Sequence, residues 1–429
     1  MPDTTLRRAV LASLAALTLL AGGRDAVPAT AANLPRLRAE LFTDIRAWTV
    51  DGEPSWRNGG QGKTRYGGHP DLSARNGLSV EELSALIDVD VTWDLAGFVH
   101  LQYADDQDKP VDLIEAFLAW RPAPRAAVSF DLKGGLYFPH ISREHTDPAW
   151  TSPYTITASA ANSWVGEEVR ALGLQAGATW RGEVARTRLT AALFGFNDPA
   201  GSLLAYRGWA VNDVKVGAFS RLPLPPLPAI GDGGTFIRWQ PHWVHPVREI
   251  DGRLGWHAGL DWEYGQRLAA GAFFYDNGGD PAAFDHGQYA WDTRFWNLYV
   301  QAEPAADLTI IAQYMAGVTL MGRYPDGQHR AVDVSYDTGF LLLSRKAGKW
   351  RFSGRGEFFA ARDNSFVARD DNNEDGTAWT LAVARDLGPR DRVLVEVLRL
   401  DSRRPNRATL GYAVDQVQTQ LQASYRKRF

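Results

Sequence analysis

The stretch Arg36-Leu37-Arg38-Ala39-Glu40-Leu41-Phe42-Thr43-Asp44-Ile45-Arg46-Ala47 decides the fold. Taken two residues at a time, it separates into two faces. Leu37, Ala39, Leu41, Ile45 and Ala47 make an apolar face. Arg38, Glu40, Phe42, Asp44 and Arg46 make a face that is nearly all charged. Side chains alternate across a β-strand, so a period of two is the strand period. Strands of a soluble sandwich also alternate, but they are shorter and their outer face is mixed. An apolar face backed by charge suits a strand with lipid on one side and water on the other.

The pattern recurs along the chain. Ile87, Val89, Val91 and Trp93 alternate with Asp88, Asp90 and Asp94. Val128, Phe130 and Leu132 alternate with Ser129, Asp131 and Lys133. Trp296, Leu298, Val300 and Ala302 alternate with Asn297, Tyr299, Gln301 and Glu303. Val332, Val334, Tyr336, Thr338, Phe340 and Leu342 oppose Asp333, Ser335 and Asp337, and the same logic puts the first set against lipid. Trp350, Phe352 and Phe358 stand opposite Arg351, Arg355 and Glu357.

Turn-forming residues divide these runs into strands expected at 36–50, 84–94, 97–104, 111–121, 126–138, 165–181, 186–196 and 253–264. The rest are expected at 267–277, 292–303, 308–319, 331–345, 350–362, 376–386, 391–401 and 415–429. Short connections of Gly, Pro, Asp and Lys alternate with long polar ones, chiefly 51–83, 139–164 and 197–252. Short turns on one side and long loops on the other are the pattern of a closed, antiparallel transmembrane β-barrel. The expectation is all-β with 16 strands. Two more strands, near 207–221 and 235–250, would make 18, although the run LPLPPLP at 222–228 argues against a continuous strand there.

Composition agrees. Among 429 residues there are 16 Trp, 14 Tyr, 19 Phe and 41 Gly. Barrels use aromatic side chains in interfacial girdles and glycine in their many turns. The mean hydropathy of −0.28 is far below that of a helical membrane protein. No cysteine is present, which excludes disulfides, thiolate metal sites and a cysteine nucleophile. Residues 1–31 read as a secretory signal peptide, with Arg7 and Arg8, an apolar run from Ala9 to Leu20, and a cleavage motif at Ala29-Thr30-Ala31. That leaves 32–429 as the barrel, slightly acidic, with nothing to suggest nucleic-acid binding.

The chain ends Leu421, Ala423, Tyr425, Lys427, Phe429 in alternation. Tyr425 and the terminal Phe429 resemble the C-terminal signal read by the barrel-assembly machinery. With the early charged strand, the length and the long connection after strand 5, the barrel resembles the bacterial outer-membrane porins. Its general likeness is to the phosphate-selective type. It departs from that type in carrying both signs of charge on the lumen face rather than a basic ladder. The resemblance implies a homotrimer in contact with outer-membrane lipid and lipopolysaccharide. It also implies passive diffusion of small hydrophilic or ionic solutes, with no catalysis and no cofactor. A solute-specific channel for phosphate, a sugar or an organic acid is the alternative, and an outer-membrane lipid hydrolase a more distant one.

In such porins the connection after strand 5 folds inward and narrows the pore. Here Arg143, Glu144, His145 and Asp147 on that connection, with Arg170 just beyond, are the expected constriction, and Glu167 and Glu168 are expected to begin strand 6. Arg38, Glu40, Asp44, Arg46, Asp88, Asp90, Asp131, Lys133, Arg351, Arg355 and Glu357 are expected to line the lumen. Three weaker motifs complete the reading. GGQGKT at 59–64 has Arg57 where a phosphate loop needs glycine, and is expected to be a flexible external loop. Asp371, Asn373 and Asp375 with Gly376 match the first half of a calcium loop, but Ala382 replaces the closing glutamate. His242 and His245, with Glu249, have metal-ligand character, although the flanking prolines suit a structured loop.

Overall fold

The computed structural model describes residues 34–429, apart from Arg125, Gly233, 235–239, 324–329 and 366–369. The signal peptide expected over 1–31 lies outside the described residues. Sixteen antiparallel strands close into a single barrel. They are β1 Arg36–Val50, β2 Arg75–Asp90, β3 Leu95–Tyr103, β4 Val111–Trp120, β5 Val128–Tyr137, β6 Ala171–Arg181, β7 Ala185–Gly195 and β8 Gly255–Tyr264. The remainder are β9 Leu268–Asp276, β10 Asp292–Ala305, β11 Leu308–Met321, β12 Val332–Ala347, β13 Trp350–Asp363, β14 Glu374–Asp386, β15 Asp391–Arg403 and β16 Asp415–Arg428. β1 pairs with β16 from Phe42↔Arg428 to Val50↔Gln420, which leaves no free edge.

The count is 16 and not 18. β7 pairs directly with β8, from Ala185↔Tyr264 to Phe194↔Gly255, so the long connection between them adds nothing to the wall. Within it, Leu222–Pro223 and Trp243–Val244 form only a two-residue ladder. Outward positions carry the apolar band: Leu37, Leu41 and Ile45 on β1, with Trp256, Trp262, Tyr264, Trp296, Trp350 and Trp379 among the exposed aromatics. Lipid contact of this kind fits a closed barrel, whose backbone groups are all paired.

Three local differences from the sequence reading have clear causes. First, β2 starts at Arg75 and not at 84, with a bulge that interrupts its alternation. Asp44 opposes Glu82 and Ile45 opposes Val80, so Glu81 is the extra residue and both glutamates turn into the lumen. A bulge inserts one residue and resets the period, and a search for strict alternation stops there. Second, residues Ala160–Glu168 form a helix, α1, capped by the Ser159 hydroxyl, which accepts from the Asn162 amide at 3.4 Å. Glu167 and Glu168 therefore belong to α1, and β6 begins at Ala171. Third, β12 is the reverse of the expectation. Val332, Val334, Tyr336, Thr338, Phe340 and Leu342 face inward and are buried, while Leu341 and Leu343 are exposed outside.

The reversal has a structural reason: the lumen beside β12 holds protein. Three long connections, 51–74, 138–170 and 196–254, are largely buried inside the wall. Trp164 of α1 packs with Tyr137, Trp209, Phe295 and Tyr336, and a second cluster gathers Trp56, Tyr206 and Trp291. The GGQGKT segment is part of this filling and not a flexible external loop. Lys63 is fully buried there in an ion pair with Glu374.

Candidate functional site in the barrel lumen

The connection after β5 enters the lumen and is fastened to the opposite wall by charge. Arg355 of β13 donates to the Glu144 carboxylate at 2.8 Å and to the Thr157 and Ala158 carbonyls at 2.9 Å each. It also meets Glu357 at 3.0 Å. Glu357 accepts the Ala160 amide at 2.7 Å, and Glu396 of β15 accepts the Thr157 hydroxyl at 2.8 Å. Glu144 takes a further bond from the Asn162 side chain at 2.7 Å. All of these groups are buried. Buried charges are tolerated only when paired and hydrogen-bonded, and here each has such partners.

The insert turns sharply at Ala149 and Trp150, which have φ of +57° and +53°. These left-handed residues are held by packing. The Trp150 ring lies between His145, at 3.6 Å, and Phe138, at 4.2 Å. Burial pushes the His145 imidazole well below its ordinary pKa, and its Nδ1 lies 2.7 Å from the Ser142 hydroxyl. Asp147 pairs with Arg392 at 2.6 Å beside the short turn 387–390, where it lines a small cavity of about 80 Å³.

Of the five residues expected at the constriction, Arg143 has the clearest access to open space. It stacks over the Tyr299 ring at 4.6 Å, donates to Gln301 at 3.2 Å, and lines a cavity of about 590 Å³. Arg170 does not face this space. It is fully buried and donates to the Ile114 carbonyl at 3.0 Å and the Val216 carbonyl at 2.7 Å, over the Phe138 ring. Its placement is that of a residue joining two inserted segments to the wall.

The residues expected along the lumen wall have varied settings. Arg38 and Asp90 pair at 2.8 Å near the end of β1, where Arg38 is about half exposed. Glu40 shares their face, and Asp88 is exposed at the end of β2. Asp44 is buried between Arg46, at 2.8 Å, and Arg426, at 3.1 Å, and Arg46 reaches on to Asp213 of the third insert at 2.5 Å. Asp131 is held in a two-pronged pair by Arg188 at 2.6 and 2.8 Å. Lys133 lies over the Phe117 and Tyr137 rings at 4.7 and 5.0 Å. Arg351 donates to Ser344 at 2.9 Å and covers the Tyr154 ring. Arg188, Arg186 and Glu396 were missed in the sequence. Arg186 and Arg188 do alternate within β7, which is a readable signal; Glu396 stands alone among apolar neighbours and gives none.

Two larger cavities lie at opposite ends. The 590 Å³ space opens among the short turns, and another of about 660 Å³ opens among the long connections, next to Trp48, Arg65, Glu81 and Trp243. Between them sits the packed layer of inserts. Neither cavity shares a lining residue with the other.

The residues of the metal motifs are engaged in local contacts. Asp371 accepts both the backbone and side-chain N–H of Asn373, at 3.0 and 2.7 Å, whereas Asp375 is committed to the β14–β15 ladder opposite Arg403. The His242 ring contacts the Leu227 carbonyl at 3.3 Å. Glu249 instead meets Asp198 and Asp251, with carboxylate oxygens within 4.8 Å of one another. Burial, and then the neighbouring Glu249 charge, push Asp198 up to about 8. The terminal strand is ordinary wall: the Tyr425 hydroxyl donates to Asp391 at 2.7 Å, and the Phe429 amide to the Leu41 carbonyl at 2.9 Å.

Comparison with solved structures identifies the architecture. The outer-membrane channel DcaP of Acinetobacter baumannii superposes with a TM-score of 0.52 at 11% identity, covering 94% of this chain and 100% of that one. The anion-selective porin of Comamonas acidovorans gives 0.50 at 11% identity, covering 92% and 99%. This chain has the fold of the bacterial outer-membrane porins. A loop-deletion variant of the Vibrio cholerae outer-membrane protein OmpT gives 0.52 at 11% identity, covering 91% and 99%. A closed barrel of this fold with an apolar outer band belongs in the bacterial outer membrane. No family model matches the porin-fold chain, and no curated protein does.

Proposed function

We propose that the protein is a porin that lets small hydrophilic or ionic solutes diffuse down their gradients. The observation that carries this reading is the pair of polar cavities at the two ends of a closed barrel, separated by an insert whose Arg143 faces the inner space. Charged side chains next to a narrow path set the electrostatic barrier, and the bulk of the insert sets the size limit. No catalytic group is needed. Ser84 and His100 do meet at 2.9 Å, but both are fully buried inside the barrel and Ser84 donates to Glu82. Such a pair has no access to lipid, so the hydrolase reading gains nothing from it.

A solute-specific channel is the second reading, and one observation favours it. Trp56, Trp164 and Trp209 of the inserts are fully buried inside the barrel, as is Trp291 just before β10, so the passage is narrower than the wall alone allows. We extend the proposal to a homotrimer, assembled through the outer face of the early strands. What supports this extension is the resemblance to porins read from the sequence, together with the fold shared with the anion-selective porin and the DcaP channel. Swelling of liposomes carrying the refolded protein tests the channel. Entry of small sugars that falls steeply with solute size supports it; liposomes that swell no faster than protein-free ones refute it. Light scattering of the protein in detergent reads the oligomer, with a monomeric mass contradicting the trimer.

A further inference from the structure

The inner cavity has a charge excess that the porin fold does not require. Six cations line it: Arg121, Lys133, Arg143, Arg181, Arg186 and Arg188. Three carboxylates line it with them, from Asp131, Asp261 and Glu263, and the buried Glu115 carboxylate attracts Lys133 from behind the wall. Two of these are already committed, Asp131 to Arg188 at 2.6 Å and Glu263 to Arg186 at 3.2 Å. Asp261 accepts the Tyr299 hydroxyl. Arg121, Lys133, Arg143 and Arg181 thus have no carboxylate within ion-pair distance among the described residues. Arg143 and Arg181 instead donate to neutral oxygens, those of Gln301 at 3.2 Å and Ser129 at 2.6 Å.

Behind Lys133 the polar inventory is also incomplete. The Tyr137 hydroxyl and both ring nitrogens of His257 are buried without a hydrogen-bond partner. The two rings meet edge to face at 6.4 Å. Buried polar groups ordinarily have partners, so these orphaned groups behind the Lys133 ammonium mark room for a water that completes the set next to the cavity wall. The outer cavity is different. Its four arginines, Arg57, Arg65, Arg75 and Arg221, face four carboxylates, and Arg65 alone is paired with both Glu81 and Asp106.

We propose that the cavity at the short-turn end is a binding site for small, multiply charged anions bearing carboxylate or phosphate groups, with Lys133 and Arg143 as its principal contacts. The site deepens the channel reading by giving it a solute class and a side. Guanidinium and ammonium groups bind such oxygens through short charge-assisted hydrogen bonds, and a low-dielectric wall strengthens them. Because the excess is confined to one end, anions bind from that end and the channel is electrically asymmetric.

The test uses citrate as the probe on single channels in a planar bilayer. Citrate is expected to block at a concentration about tenfold lower from one side than from the other, which corresponds to about 1.4 kcal/mol. Lys133→Gln should raise the half-blocking concentration on that side by about tenfold, and Arg121→Gln, at the exposed rim, should raise it less. Arg221→Gln, in the outer cavity, should leave it unchanged, which assigns the sensitive side without knowing the direction of insertion. Equal block from both sides, or block unchanged in Lys133→Gln with normal folding, overturns the proposal. If the folded wild-type protein passes no current, the channel reading has failed and calorimetry decides the site alone. Citrate binding that is lost in Lys133→Gln then upholds it, and no citrate binding overturns it.

Discussion

Arg355 shows how a residue's role changes when its surroundings are known. In the sequence it alternates with Trp350 and Phe352, which placed it among the residues expected to line the lumen, and in the structure it is buried on the inner face of β13. Nothing in the sequence shows that Glu144, more than two hundred positions away, lies 2.8 Å from it inside the barrel. Removing Arg355 leaves Glu144 and Glu357 buried without their cation, and breaking such a pair costs about 3–5 kcal/mol. Arg355→Ala is therefore expected to loosen the insert, with a lower urea midpoint and noisier, larger conductance steps. Unchanged steps in a folded variant would mean that the insert is held by its apolar contacts alone. Arg143 and Arg170 separate by the same reasoning. Arg143→Ala should shift the reversal potential towards cations with little loss of stability. Arg170→Ala should instead lower stability by about 1–3 kcal/mol, because two buried carbonyls lose their donor.

Acid titration belongs to this scale as well. Glu168 of α1 is buried and accepts from the Trp164 indole at 2.6 Å and the Leu203 amide at 2.9 Å. Burial outweighs these bonds and pushes its carboxyl up to about 7. A proton held more tightly in the folded chain than in the unfolded one adds stability at low pH. That stability is complete below the ordinary value of 4.5 and is lost as pH rises to about 7. The insert should then be more susceptible to protease at pH 8.5 than at pH 5.5, when cleavage is compared with Glu168→Gln. Susceptibility that does not change with pH in the wild type would contradict the burial of an uncompensated carboxyl.

At the scale of elements, the sequence was most legible where each strand keeps one face on lipid. The windows for β1, β4, β7, β10 and β15 match the observed strands to within two or three residues, because alternation against lipid is strict. It was least legible where the inner face does not meet water. β12 turns six apolar or small positions inward onto the inserts, so hydrophobicity alone pointed the wrong way. The bulge in β2 hid Arg75 to Leu83 for a related reason: Glu81 and Glu82 are consecutive and both inward, serving Arg65 at 2.8 Å and Lys215 at 2.6 Å. Deleting Glu81 removes only the extra residue: Leu78 and Val80 stay outward and Ser79 and Glu82 stay inward, while Arg65 loses a carboxylate. Such a deletion is expected to keep the heat-modifiable folded band on electrophoresis, at a lower urea midpoint. Loss of the band would show that the bulge itself is needed to form the external end of β2.

The whole molecule joins a wall that was readable with a filling that was not. Closure, and the direction of the apolar face in strands such as β1 and β10, follow from local period and turn chemistry, while the choice of 16 strands over 18 rests on the direct pairing of β7 with β8. The filling depends on contacts such as Arg46 with Asp213 and Lys63 with Glu374, which link segments far apart in sequence and leave no periodic trace. The constriction residues show the same division. Their connection was singled out by its length and place, but nothing in the sequence tells which of its side chains faces open space. Arg143 does so because it stands at the edge of the insert next to Tyr299, while Glu144, its neighbour, points to the opposite wall.

The central proposal is that this barrel passes small solutes, with charge at its insert setting the barrier. The most direct measurement is the single-channel current of the refolded protein in a planar bilayer, under a KCl gradient. Stable ohmic steps, with a reversal potential on the anion side that moves towards cations in Arg143→Ala, are the predicted result. A correctly folded, heat-modifiable barrel that carries no current would contradict the account.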